Sequence, residues 1–106
     1  MVSQCQIAPI LIIDDDAFNS YALSSIFVQL GFECEAVQNG NQAIDLVNWR
    51  ISEHKDVFDL IITSHKMQVH NEMKAMQTIR TITKDTGKRQ PYICLLSADI
   101  STSKKS

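Results

Sequence analysis

Three short apolar runs, "ILII" after Pro9, Val57 to Ile62, and "YICLL" at 92 to 96, constrain this chain more than any other feature. Each is too short for a core helix or a membrane span and is apolar on consecutive positions, the pattern of a strand buried on both faces. Between them lie segments with helical spacing. After Asp14, Asp15 and Asp16, which can cap a following helix, Ala22, Leu23, Ile26, Phe27 and Leu30 fall on one predicted face, and Gly31 supplies a stop. "FECEAV" at 32 to 37 alternates Phe32, Cys34 and Ala36 against two glutamates, which predicts an edge strand with one wet face.

Asn39-Gly40 reads as a turn, and a second helix is expected behind an Asn41 cap with Ile44, Val47 and Ile51 inward. "NEMKAMQTIRTI" predicts a third helix behind an Asn71 cap, with Met73, Met76, Ile79 and Ile82 as its buried stripe. His54 is expected at the surface.

Strict β-α-β-α-β-α-β alternation implies an α/β fold with a parallel sheet and crossover helices. With the second strand at an edge and the first and third inside, the order is 2-1-3-4, and ligands bind where the direction reverses, between strands one and three. The residues meeting there are Asp14 to Asp16 and Ser64. One helix is about 10 Å wide and strands lie about 4.8 Å apart, so helix one covers roughly two of the four strands. The open side of strand four then implies a lost fifth strand and helix, a homodimer that covers the sheet edge, or a chain that is not stable alone.

Composition narrows the partners. A net charge of −2 and a pI near 5.8 give no electrostatic case for nucleic acid or an anionic membrane. Cys5, Cys34 and Cys94 are odd in number and lack C-x-x-C spacing, which argues against a disulfide framework or a zinc site and suits a reduced, cytoplasmic setting. The N-terminus lacks the charge and apolar core of a signal peptide.

"ILIIDDDAFN", "NGNQAIDLV", "DLIITSHKMQ" and "LLSA", in this order over residues 10 to 98, together resemble the receiver domain of two-component response regulators, a flavodoxin-like fold, here without its fifth strand and last helices. The implied division is a receiver-like domain at 7–98 and a polar tail at 99–106. The resemblance implies that Asp14 and Asp15 hold Mg²⁺, that Ser97 contacts the phosphoryl group, and that Ser64 stands where the family has its phosphoacceptor aspartate. Gln68, Asn71 and Glu72 depart from a usual proline, aspartate and glycine. The family lysine has no counterpart, and Lys104 and Lys105 come too early to serve. Phe18, Asn19 and Ala22 are the implied contacts for a sensor histidine kinase or a phosphotransfer protein, weighed against ordinary helix packing.

Receiver phosphorylation needs a carboxylate nucleophile, a cation and a steadying lysine. A serine hydroxyl is protonated at neutral pH and is a poor Mg²⁺ ligand. The expected molecule is therefore not an enzyme. It is a degenerate receiver of a phosphorelay that works by protein–protein interaction, with weak Mg²⁺ binding at most. Alternatives are a fragment of a hybrid sensor kinase without independent function, phosphorylation of Ser64 by a protein kinase, and a Ser64 hydrolase assisted by His65 or His70. The last lacks a G-x-S-x-G elbow and a glycine-rich oxyanion loop.

Overall fold

In the computed structural model, residues 8–64 and 69–96 are described, with the side chains of 8–63 and 73–95. The elements run β1 (Ile10–Ile13), α1 (Ala17–Gln29), β2 (Cys34–Val37), α2 (Gly40–Ser52), β3 (Leu60–Ser64), α3 (Val69–Asp85) and β4 (Tyr92–Leu96). The sheet is parallel, in the expected order β2-β1-β3-β4.

Side chains of a strand alternate between faces, so the sheet separates two cores. Leu11, Ile13 and Ile61 join Val57, Phe58, Ala43, Val47, Ala75, Met76 and Ile79 under α2 and α3. On the opposite face, among the described residues, Ile10, Ile12 and Ile62 meet Leu23, Phe27, Cys34 and Leu60. Among the described residues a single helix, α1, covers that side, and it reaches β1 and β2.

The phase of α1 differs from expectation. Ser20 is buried and Leu23 and Phe27 pack inward, whereas Ala22, Ile26 and Leu30 are exposed. Apolar residues occur all round this helix, so periodicity alone could not set its rotation. The second strand is shorter than the expected 32–37: Phe32 precedes β2 and is exposed, and within β2 Ala36 is exposed rather than buried while Cys34 is half-buried.

Helix α2 starts earlier than expected. The Oδ1 of Asn39, not Asn41, accepts the Gln42 N–H at 2.9 Å, and the Gln42 Oε1 in turn accepts the Gln38 N–H at 2.7 Å. These paired bonds satisfy donors that a helix start leaves open, so Asn39-Gly40 opens the helix rather than a free turn. Helix α3 begins at Val69, which places Asn71 inside it, not at its cap. Met73 is half exposed, and Thr83 completes the buried stripe instead.

All three helices end in the same way, with a residue at positive φ whose neighbours bond back into the last turn. At α1 and α3 that residue is Gly31 or Gly87. At α2 it is His54, at φ 59°, with its N–H on the Ile51 carbonyl and the Lys55 N–H on that of Arg50.

The largest feature that the sequence reading passed over is Arg50. It is 2% exposed, donates to the Ala8 carbonyl at 2.7 Å and to that of Asp56 at 3.5 Å, and lies 3.7 Å over the Phe58 ring. Glu35 approaches it at 3.9 Å. Burial lowers the pKa of Arg50, while Glu35 and Asp56 act in the opposite direction. The residue ties α2 to the amino-terminal ends of β1 and β3.

Candidate functional site

The carboxyl ends of β1 and β3 adjoin, in the register Ile13 to Thr63. One residue further on each strand, Asp14 and Ser64 stand level. The Asp14 N–H continues the ladder to the Val37 carbonyl at 3.0 Å, and this fixes the start of the acidic turn against β2.

The three carboxylates of that turn divide their work. Asp14 is buried, and its Oδ1 accepts the Asp16 N–H at 2.9 Å. Asp15 is exposed. Asp16 caps α1, with Oδ1 accepting from Phe18 N–H at 2.9 Å and Asn19 N–H at 3.4 Å, the capping role expected of it. A carboxylate so engaged satisfies the open donors of the helix start, and its charge suits the positive end of the helix dipole.

Ser64 ends β3, its backbone in register with Leu96 of β4. Its side chain, Ser97, residues 65–68 including His65 and Gln68, the side chains of His70, Asn71 and Glu72, and Lys104 and Lys105 lie outside the described residues. Among the described residues, no group of three or more His, Cys, Asp and Glu side chains could hold a metal ion. What the turn offers a cation is the pair Asp14 and Asp15. Mg²⁺ requires near-octahedral oxygen coordination and keeps several waters when only one or two carboxylates hold it. Among the described residues, the donor set fits a largely hydrated ion.

Beside the acidic turn, the first residues of α1 face solvent. Phe18 is 76% exposed, Ala22 is exposed and Asn19 is half-buried, so Phe18 and Ala22 contribute nothing to the core. Tyr21, one turn on from Phe18, is equally open. On the other face of the sheet, Thr63, Met73, Met76, Gln77, Arg80, Ile93 and Leu95 line an open apolar groove of about 250 Å³ between α3 and β4. The sequence reading assigned Met73 to the core and so missed this groove. Its signal was the unaccompanied apolar pair Ile93 and Leu95 beyond the last helix.

The family model for the response regulator receiver domain matches residues 10–105. Among solved structures, the receiver domain of the histidine kinase CKI1 from Arabidopsis thaliana, complexed with Mg²⁺ and BeF₃⁻, is similar at a TM-score of 0.70 and 24% identity, over 85% of this chain and 65% of that one. The same domain complexed with Mg²⁺ matches at 0.68 and 18%, over 92% and 90%. The receiver domain of the Saccharomyces cerevisiae response regulator Ssk1, from its co-crystal structure with the histidine phosphotransfer protein Ypd1, matches at 0.60 and 19%, over 87% of this chain and 65% of that one. Two of these matches thus span slightly less than two thirds of the neighbour's length. No curated protein matches the chain.

Proposed function

We propose that this chain, which belongs to the response regulator receiver domain family, is a signalling module that docks a histidine kinase or phosphotransfer protein without accepting phosphate from it. The observation that carries this reading is Ser64, the last residue of β3, level with the acidic turn at the point where the sheet reverses direction. Phosphoryl transfer to a receiver requires an anionic oxygen there, both as nucleophile and as a hard ligand for the cation. A serine supplies a neutral hydroxyl for both tasks and needs a general base for the first.

In this reading Asp14 and Asp15 hold a hydrated Mg²⁺ weakly, and a bound Mg²⁺ would neutralise charge at the turn. The docking face is the start of α1, where Phe18 and Ala22 are open to solvent beside Asn19. Support for such a partner comes from the similarity to Ssk1, whose receiver domain was crystallised with Ypd1. The chain performs no catalysis of its own and works in the cytoplasm.

The test is to incubate the whole chain with acetyl phosphate and Mg²⁺ and to measure its intact mass. No phosphoryl adduct is expected. A hydroxylamine-labile adduct would place an acyl phosphate on a carboxylate and overturn the proposal. A hydroxylamine-resistant adduct mapped to Ser64 would instead make the serine an acceptor and overturn the proposal as well.

A further inference from the structure

We infer that two copies of this chain associate through the outer face of α1, the two helices packed antiparallel about a two-fold axis. Phe18, Tyr21 and Val28 stand on one ridge of this helix, 76%, 71% and 61% exposed, with half-buried Ser25 between the last two. Spacings of three, four and three residues are those of a coiled-coil seam. From Ala17 to Gln29 the helix carries no charged residue, whereas α2 presents Asp45 to solvent and α3 presents Lys74, Arg80 and Lys84. A helix whose outer face meets only water is normally polar or charged there.

The handedness of the fold places this ridge. A crossover between parallel strands is right-handed, which fixes the direction of α1 over β1 and β2. Ser20, Leu23 and Phe27 face the sheet. Steps of about 100° round the helix then turn the ridge outward and toward the β2 edge, and turn Ala22, Ile26 and Leu30 toward β3 and β4. A strand or helix added beyond β4 would lie against that second flank, not against the ridge.

The ridge is self-complementary, and this selects a second copy as its occupant. Its spacings read the same from either end, so reversal about the middle of the helix maps the ridge onto itself, as an isologous contact requires. Phe18 then packs against Val28 of the second copy, and Tyr21 fills the gap left by Ser25 of the second copy, large against small in all four pairs. No charge on either helix opposes the approach. An aromatic side chain buries about 150–250 Å², so Phe18, Tyr21, Ser25 and Val28 together offer on the order of 450 Å² per copy, against about 800 Å² in a standard interface. The dimer is therefore weak, with a dissociation constant of roughly 10–100 micromolar. It covers Phe18, so self-association and docking through that residue exclude each other.

The test is sedimentation velocity of the whole chain over a concentration series that brackets this constant. Expected are a monomer–dimer equilibrium, at least tenfold weaker for Tyr21→Lys and for Ser25→Glu, and unchanged for Ile26→Lys, which alters the second flank. All three positions lie outside the core, so the variants keep the circular dichroism of the parent. Mixing Tyr21→Lys chains with Ser25→Glu chains sets the new ammonium opposite the new carboxylate once per dimer, and should restore association at least threefold over either variant alone. None of these readouts involves a phosphotransfer protein, so the result is independent of the docking reading. A monomer at all concentrations, an open-ended oligomer, a dimer indifferent to Tyr21→Lys or Ser25→Glu, a dimer broken by Ile26→Lys, or a mixture no stronger than its parts would overturn the inference.

Discussion

Arg50 invites the most direct physical test, because three different interactions converge on one buried guanidinium and their sizes differ. Replacing it by alanine leaves the Ala8 carbonyl without its 2.7 Å donor, a loss of about 1–3 kcal/mol for a buried acceptor. Removing the cation from the Phe58 face costs about 0.5–2 kcal/mol, and the vacated stem leaves a void against α2. Glu35 matters least. It lies at 3.9 Å with half of its side chain in water, so its ion pair is worth under about 1 kcal/mol.

The expected cost of Arg50→Ala is therefore roughly 3–5 kcal/mol, a large share of the ~5–15 kcal/mol that holds a domain of this size together. Glu35→Ala should cost less than about 1 kcal/mol. Arg50→Met should fall between them, since it refills the space and relieves the burial of a charge but still orphans the carbonyl. Urea unfolding followed by circular dichroism and by the fluorescence of Trp49, the only tryptophan, measures all three. If Glu35→Ala proves as costly as Arg50→Ala, the ion pair rather than the carbonyl and ring is the dominant contact, and the ranking argued here is wrong.

Other expectations follow from single contacts. Asn39→Ala should lower stability by about 1 kcal/mol in the same urea assay and Asn41→Ala by a few tenths at most, since Asn39 caps α2; equal costs would contradict that assignment. His54→Gly should stabilise by about 0.5–1 kcal/mol because a side chain at φ 59° is strained, unless His54 makes a compensating contact, which a loss of stability would reveal. Burial raises the Cys34 pKa, so the unfolded thiol ionises first: this stability is full below the unfolded pKa and is lost as pH rises through the folded one. Cys34→Ser should abolish that loss in urea titrations above neutral pH. Phe18→Ala should leave the unfolding midpoint within about 0.5 kcal/mol of the parent and weaken binding to a phosphotransfer protein at least tenfold in calorimetry; unchanged affinity would move the docking face elsewhere.

The sheet was legible because continuous apolar runs leave a short segment little choice but a buried parallel strand, and the wet residues of "FECEAV" identified the edge. Helix rotation was not. In α1, Phe18, Tyr21, Ile26, Val28 and Leu30 are all exposed, and an apolar side chain offers no sign of which face it will take until the neighbouring strands are in place. Asn39 and Asn41 are equally good caps by type, and only the position of Gln42 relative to Asn39 decided between them. Arg50 was invisible for a different reason. An arginine two residues from a helix end reads as a solvated C-terminal charge, and its burial depends on carbonyls and a ring brought from distant parts of the chain. At the site, Asp16 was recognised as a cap from its place before the helix, whereas the α3–β4 groove required knowing that Met73 turns outward.

The contacts that stabilise the fold and the residues of the candidate site occupy opposite ends of the sheet, and this separation makes one last test informative. Arg50, Ala8 and Phe58 join at the amino-terminal ends of the strands, while Asp14 and Ser64 end β1 and β3 at the other side. Ser64 can therefore change without disturbing the contacts of Arg50. Ser64→Asp adds a third carboxylate level with buried Asp14 and exposed Asp15, and like charges so placed repel. Without divalent ions the variant should unfold at lower urea than the parent, by roughly 1–2 kcal/mol. Mg²⁺ should reverse the deficit, because a third hard oxygen raises its affinity and ligand binding stabilises the folded state by RT ln(1 + [Mg²⁺]/Kd). The parent should respond to the same Mg²⁺ by less than about 0.5 kcal/mol. If parent and variant gain equally, Asp14 and Asp15 suffice for the cation, and the serine is not what limits the site. If the variant shows no Mg²⁺ response, the acidic turn and the end of β3 do not converge on a common ion, and Ser64 does not occupy the acceptor position.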